Sequence, residues 1–318
     1  MKYRQLGKTG ILVSEIGFGT WGIGGLTEGA TSYGKTDDEE SLRALAYAFE
    51  KGITFYDTAN IYGRAEELLG KAFGKRRDKV IIATKIGFEK HGGPHNVSPA
   101  HIRASLEESL KSLGSDYVDV LQFHSVPLEL VRRENGCMET MADLKKEGKI
   151  RAIGYSVKDP AAALVAMNEF NVDAVQVNFN MIDQRVLTAG VLDAARERGT
   201  GIIARTPFCF GFLTGAITDT RFGVNDHRST WPSEQLIRWK EAPAKFSLVD
   251  QESQYTPSQL ALLFCIAFPE VSTVIPGMLT TGEVEENSAV SDLRPLSSKQ
   301  VEAIKKICRE SDFFIGKG

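Results

Sequence analysis

The sequence predicts an α/β chain folded as a (β/α)8 barrel, with an N-terminal β-hairpin and a long loop after its seventh strand. Three observations predict it. Short apolar, β-rich runs alternate with segments of helical period along the chain, and strict alternation builds a parallel sheet. Eight such units fit within 318 residues, a length at which a closed barrel is more economical than an open sheet. Strand-like runs such as Ile53-Thr-Phe-Tyr-Asp57 end in polar residues, as buried parallel strands do where they deliver side chains to a sheet rim. No linker interrupts the pattern, so residues 1–318 are expected to form a single domain.

Tyr3 to Val13 reads as a hairpin, because Leu6-Gly-Lys-Thr-Gly10 supplies turn glycines between two short apolar runs. Glu15 to Gly19 is strand-like. Asp37 to Glu50 is helical, with Leu42, Leu45, Ala46 and Phe49 at helix spacing behind an acidic start. Ile53 to Tyr56 is a strand, Ala65 to Phe73 a helix and Val80 to Thr84 a strand. Ser98 and Pro99 open a helix as N-cap and first-turn proline, with Ile102, Leu106 and Leu110 on one face. Strands follow at Val118 to Phe123, Ile150 to Tyr155, Ala174 to Val177 and Gly201 to Ala204. The helices between them are Met138 to Lys146, Pro160 to Phe170 and Val191 to Glu197. Pro207 to Tyr255 is too long for a plain loop and should carry function or a helix of its own, with Glu234 to Lys245 the candidate. A helix at Ser258 to Ala267, a strand at Val271 to Ile275 and helices near Glu283 to Val290 and Ser298 to Ser311 complete the chain.

Composition excludes several classes. A content of 42% hydrophobic and 25% charged residues is ordinary for a globular chain, and a net charge of -3 gives no reason to expect nucleic acid or an anionic membrane as partner. No run approaches the roughly 18 apolar residues of a membrane span. Met1-Lys-Tyr-Arg-Gln has no apolar core of a signal peptide, and Cys137, Cys209, Cys265 and Cys308 are far apart. They read as reduced thiols of a cytoplasmic protein.

Gly17-Phe-Gly19-Thr-Trp-Gly22 matches a dinucleotide-binding G-x-G-x-x-G, with Asp37 and Asp38 near the distance of a ribose-binding acid. That motif must run into a helix, whereas Ile23-Gly24-Gly25-Leu-Thr-Glu-Gly29 follows, and a helix does not tolerate so many glycines. A glycine-rich loop on the barrel rim, where backbone meets ligand closely, fits better.

Active residues of a barrel come from the carboxyl ends of different strands. Asp57 ends the second, Tyr62 lies in the loop beyond it, Lys85 ends the third and His124 the fourth. Taken singly, each has a bland reading as helix cap, packing ring, solvent-reaching ammonium or structural donor. Together on adjacent strands they suit one chemistry. A free phenol, with a pKa near 10, is a reluctant acid–base group, and a neighbouring ammonium eases loss of its proton. Asp57 would hold the lysine in place, Tyr62 would protonate a carbonyl, and His124 would donate to the substrate oxygen. No side chain here supplies reducing equivalents, so a hydride carrier is required.

These residues resemble the aldo-keto reductases. Asp57, Tyr62, Lys85 and His124 match that family's tetrad in identity, order and setting. Phe55-Tyr-Asp-Thr-Ala-Asn-Ile-Tyr-Gly63, Ala83-Thr-Lys-Ile86 and the run Ser109 to His124 look like family phrases. The resemblance runs from the hairpin to about Asn287. It implies a TIM barrel whose hairpin closes the bottom, and nicotinamide-dependent reduction of an aldehyde or ketone, or the reverse, with Tyr62 as proton donor. By position it also implies cofactor contacts. Gly19, Thr20 and Trp21 lie in the first rim loop, and Trp21 serves equally as a pocket wall. Ser156 and Gln176 match the groups that hold the carboxamide, although Val157 stands where relatives often have Asn, and Asn178 is a further polar rim residue. Arg205 stands where many relatives place an aromatic on the nicotinamide, and would stack as a planar cation or bind a phosphate. Pro207, Phe208, Gly211, Leu213 and Gly215 resemble the loop that covers the pyrophosphate.

Ile275, Gly277, Glu286 and Asn287 match phrases around the adenosine site. Relatives that prefer NADPH place Lys or Arg between them, but Met278 to Glu283 contains no base, and an inward Glu283 would repel a phosphate. Thr280 and the helix N-terminus near Gly282 would bind one weakly, and Arg221 or Arg228 would add charge from a distance. The family pattern favours NADP(H) narrowly, while the local residues lean to NAD(H) or dual use. Trp21, Phe88, Phe222, Trp231, Phe313 and Phe314 are candidate pocket walls, beside Tyr62 and His124. His91 and His95 flank a Gly-Gly-Pro loop with no third ligand, while His101 and His227 belong to a helix surface and the long loop; no metal site is expected. The partner is thus a small carbonyl compound. Two rivals are an NAD-linked sugar or alcohol dehydrogenase of the same fold and a non-catalytic nucleotide-binding subunit like the relatives attached to potassium channels. Oligomeric state has no signature.

Overall fold

The strands of the computed structural model pair in chain order. The structure describes residues 1–27, 29, 31–90, 92–134, 136–249 and 254–315. Among these, one parallel sheet holds Phe18–Gly19, Phe55–Asp57, Ile81–Ile86, Val118–His124, Ile150–Ser156, Ala174–Asn178, Gly201–Arg205 and Val271–Ile275. The seam between the last strand and the first closes through parallel bridges, Ile16 to Val274 and Gly19 to Gly277, with Gly17 N donating to Val274 O at 2.7 Å. The expected first strand, Glu15 to Gly19, is regular only at its end, because its amides divide between the seam and the second strand. Space is tight there: a Cβ on Gly17 would stand 3.0 Å from Thr273 Oγ1.

Several strands run one or two residues further than expected. The second reaches Asp57, the third Ile86, the fourth His124, the fifth Ser156, the sixth Asn178 and the seventh Arg205. Backbone pairing does not stop where the apolar run stops: Lys85 pairs with Gln122, His124 with Ser156 and Asn178 with Arg205. The ladder therefore holds the polar rim residues as firmly as the core.

Helix boundaries follow capping chemistry. Asp37 accepts from Glu39 N and Glu40 N ahead of Asp38–Glu50, and Ser98 accepts from His101 N ahead of Pro99–Leu113. The helices Leu128–Arg133 and Arg185–Thr188 are too short for a periodic signal to show. The long segment after the seventh strand contains the helix Ser233–Phe246, much as expected, and short turns at Phe212–Thr214 and His227–Thr230.

The hairpin pairs Tyr3–Gln5 with Leu12–Ser14, and Lys8 N donates to Gly199 O at 2.8 Å beneath the seventh strand. It inserts Leu6, Ile11 and Val13 among inward-facing residues of the barrel, including Phe55, Ala83, Val120, Ala152, Ala174 and Ile203. The small alanines leave the room that these three fill, so the hairpin plugs the amino-terminal end. Leu6 is 0% exposed. Leu6→Ala should therefore lower unfolding free energy by about 3 kcal/mol in urea titrations, as other buried leucine truncations do; a loss below about 1 kcal/mol would show that the plug is dispensable.

Candidate active site

Five consecutive strands converge on one carboxylate. Asp57 and Lys85 are both buried, with Lys85 Nζ 2.6 Å from Asp57 Oδ2 and 2.7 Å from the Thr58 carbonyl. The other oxygen, Oδ1, accepts from Gln122 Nε2 at 3.1 Å and from Gln176 Nε2 at 2.6 Å. Ser156 Oγ donates to Gln176 Oε1 at 3.2 Å. An ion pair removed from water needs such extra donors and acceptors to be tolerated.

Tyr62 is brought over this pair. Lys85 Nζ lies 4.7 Å from the centroid of its ring. The His124 ring faces it nearly at right angles, 83°, at a centroid distance of 5.6 Å. Phe88 meets His124 edge-on at 5.3 Å and lies tilted, 34°, against His95 at 4.0 Å. The four residues singled out from the sequence thus meet at one point of the rim. Two glycines place Tyr62. A Cβ on Gly24 would stand 2.0 Å from the Tyr62 carbonyl oxygen, and one on Gly63, at φ +54°, would stand 2.3 Å from Gly24 O. The first and second rim loops cross there at backbone contact, which only glycine allows.

A cavity of about 1380 Å³ opens above Tyr62. It exceeds the ordinary single-ligand range of roughly 300–1,000 Å³ and has room for a dinucleotide beside a substrate. Of the residues expected to bind cofactor, Gly19, Trp21, Asp57, Gln176, Arg205, Pro207, Phe208, Gly211, Ile275, Gly277, Glu283, Glu286 and Asn287 line it. Thr20, Ser156, Leu213, Gly215 and Thr280 are not among its lining residues. Thr20 Oγ1 donates to Asp57 O at 2.9 Å, Leu213 is core, Gly215 ends the turn Phe212–Thr214, and Thr280 caps the helix Thr281–Ala289. Of the aromatic candidates, Trp21, Phe88, Trp231 and Phe314 line the cavity, whereas Phe222 packs under Arg228 and Phe313 is buried against Phe246.

The loop after the seventh strand holds unusual backbone. Thr206, Cys209 and Phe210 have φ of 55°, 45° and 58°, followed by Gly211 at 93°. Left-handed non-glycine residues cost about 1–3 kcal/mol each and cluster where function requires them. Asn180 Nδ2 holds the Thr206 carbonyl at 2.9 Å, and Thr206 Oγ1 donates to Asn178 Oδ1 at 2.8 Å. Arg205, just before this loop, donates from Nη2 to Val157 O at 3.1 Å, while its buried Nε has no hydrogen-bond partner. Burial lowers its pKa. Left-handed backbone at Gly211 and open space around Gly277 fit a bound nucleotide.

The part of the cavity expected from the sequence to take adenosine is differently furnished. Glu283 accepts from Leu279 N at 2.6 Å and Thr280 N at 3.1 Å, while its own N donates to Thr280 Oγ1 at 3.2 Å, so its carboxylate is engaged with the backbone just before the helix. Thr256 Oγ1 donates to Glu286 Oε1 at 2.5 Å. Arg221 is exposed, ion-paired with Asp219 and away from the cavity. Arg228 does line it, bonded to Asp226 at 3.0 and 2.6 Å and lying over the Tyr33 and Phe222 rings.

Gln122 and Thr58 are site residues that the sequence reading passed over. Gln122 carried a usable signal, since it stands two residues before His124 on the same strand and so on the same face. His91 lies outside the described residues. Among those described, no group of three His, Cys, Asp or Glu is placed to hold a metal.

The family model of the aldo/keto reductase family matches residues 15–309. The chain belongs to the aldo/keto reductase family. It is similar to the aldo-keto reductase str7 of Strobilurus tenacellus, 32% identical over 97% of this chain and 92% of that protein. It is also similar to the NADP(+) aldo-keto reductase yakc of Schizosaccharomyces pombe, 30% identical over 94% of this chain and 90% of that one. Among solved structures, the holo form of an aldo-keto reductase from Bacillus halodurans superposes with a TM-score of 0.78 at 26% identity, over 100% of this chain and 98% of that one. The protein is accordingly an NAD(P)H-dependent oxidoreductase with the barrel of the aldo/keto reductases. No helix among the described residues is long and apolar enough to cross a membrane.

Within this reductase site, Lys85→Met leaves Asp57 buried with only amide donors. Loss of one partner of a buried pair should cost about 3–5 kcal/mol of stability. Urea unfolding of Lys85→Met and of the double variant Lys85→Met/Asp57→Asn checks this. The double variant should recover part of the loss, and no recovery would mean that the pair is uncoupled.

Proposed function

We propose that the chain reduces a small aldehyde or ketone to the alcohol, with Tyr62 as proton donor. The observation that carries the reading is the stack of Asp57 carboxylate, Lys85 ammonium, Tyr62 ring and His124 ring at the floor of a cavity with room for two ligands. A dihydronicotinamide bound in this cavity would supply the hydride for the carbonyl carbon. As the π bond breaks, the carbonyl oxygen takes the Tyr62 proton, giving an alcohol and leaving negative charge on the phenol oxygen. Lys85, fixed by Asp57 and the Thr58 carbonyl, steadies that charge. His124 orients the carbonyl oxygen toward Tyr62.

The cofactor residues are assigned by the same reading. Gly19, Trp21, Gln176 and Arg205 face the nicotinamide half. Pro207, Phe208 and Gly211 face the pyrophosphate. Ile275, Gly277, Glu286 and Asn287 face the adenosine. Ser156 and Thr20 support Gln176 and Asp57 from behind. NADP(H) stays narrowly ahead of NAD(H), supported by the NADP(+) relative and by Arg228, whose Nη1 lies 3.9 Å from a Cβ position on Gly211. Glu283 and Glu286 temper that preference. Fluorescence titration should give dissociation constants for NADPH and NADH within about tenfold of each other; a hundredfold gap either way would overturn dual use.

Tyr62→Phe should cut kcat by at least about a hundredfold, the ordinary yield of a lost general acid, while nucleotide affinity changes little. The assay follows reduced-cofactor absorbance over a panel of aldehydes. Full activity in the variant would sink the mechanism. Tight nucleotide binding by the native chain with no turnover of any compound would favour a binding-only subunit instead.

A further inference from the structure

The end of the cavity beside Tyr62 carries unmatched positive charge. Two guanidinium groups reach consecutive carbonyls of the loop after the fifth strand: Arg205 Nη2 binds Val157 O at 3.1 Å, and Arg185 Nη2 approaches Lys158 O at 3.5 Å. Lys158 itself, Arg185 and Arg205 all line the cavity. Burial lowers the pKa of His95, the ring tilted against Phe88, and the charge of Lys158 adds a smaller push in the same direction.

The acids facing this end are already engaged. Asp57 is paired with Lys85 at 2.6 Å, and Asp183 is held by Arg185 at 2.7 Å. Asp159, beside Lys158, caps the following helix through Ala161 N and lies outside this cavity. Among the described residues, no carboxylate lies within ion-pair distance of Arg205 or Lys158, so about two positive charges remain on a chain whose net charge is -3. A dihydronicotinamide ring is neutral and cannot match them. A half-buried guanidinium with an unbonded Nε gains from an anionic acceptor.

We infer that the substrate is a carbonyl compound bearing an anionic group, a carboxylate or a phosphate, which is seated against Lys158 and Arg205 while its carbonyl meets Tyr62. Arg185 holds Asp183 out of the way and fixes the Lys158 backbone. The inference rests on the reductase reading above and names the substrate class of that same site.

Matched pairs of aldehydes test it: succinic semialdehyde against butyraldehyde for the carboxylate, and glycolaldehyde phosphate against glycolaldehyde for the phosphate. At low ionic strength kcat/KM should favour at least one charged member over its neutral partner by tenfold or more. That ratio should shrink with added salt, because screening shortens the reach of exposed charges to about 8–10 Å at physiological strength. Lys158 is exposed, so its variants should fold. The charged-to-neutral ratio should fall in the order native, Lys158→Met, Lys158→Glu. Equal or greater efficiency with both neutral compounds overturns the anion site alone, as does a ratio unmoved by Lys158→Glu. No turnover of any of the four overturns the reductase reading and this inference with it.

Discussion

The ammonium of Lys85 and the carboxylate of Asp57 sit 2.6 Å apart where water scarcely reaches them. Much of the upper barrel follows from keeping that pair charged. Desolvation of two ions outweighs their attraction unless other dipoles complete their shells. Here the shell comes from four other points: the Thr58 carbonyl, the amides of Gln122 and Gln176, and Ser156 behind Gln176. A flat sheet would spread those side chains along a line. A closed ring of tilted strands points them at one axis, so the barrel is the scaffold that this pair requires. Below the pair, the same ring turns to alanine, valine and isoleucine, and the hairpin fills the space that remains.

A fixed ion pair is useful only if the phenol is fixed as well. Tyr62 belongs to a loop, and loops move unless something stops them. Contact between Gly24 and the Tyr62–Gly63 backbone stops this one, reinforced by Arg64 N donating to Gly24 O at 3.0 Å. On the other side of the cavity, the strained backbone at Thr206, Cys209 and Phe210 is held by Asn178 and Asn180. Both walls are therefore set before any ligand arrives, which lowers the ordering cost of binding.

The fold was legible because its signals are periodic and local. Alternating apolar runs gave the order of strands and helices, and the acidic start at Asp37 and the cap at Ser98 placed helix starts to within a residue. The four residues Asp57, Tyr62, Lys85 and His124 were legible because each lies at or just past the end of an apolar run. Much of what escaped notice depends on contacts distant in sequence. Gln122 shares a strand face with His124, but its role shows only when Asp57 approaches it from 65 positions away. The crossing of Gly24 and Gly63 depends on two loops meeting, and in the sequence Gly24 was one glycine of a rich stretch. Glu283 read as a possible phosphate repeller because its charge was visible; its capping bonds to Leu279 N and Thr280 N were not.

Lys158, Arg185 and Arg205 gather around the loop after the fifth strand, on the wall of the cavity. Their placement matters for rate as well as affinity. Contacts to remote parts of a ligand hold the ground state and the transition state alike, so they raise kcat only by aligning the reacting atoms. In the proposed reduction, negative charge develops on the carbonyl oxygen and is left on the Tyr62 oxygen once the phenol proton has moved to the carbonyl oxygen. Cations grouped near that oxygen act more strongly on the developing charge than on a neutral carbonyl in the ground state. The same groups that would select an anionic substrate by its tail therefore also favour its reaction, provided the tail sits far enough from the carbonyl to leave part of their field uncancelled.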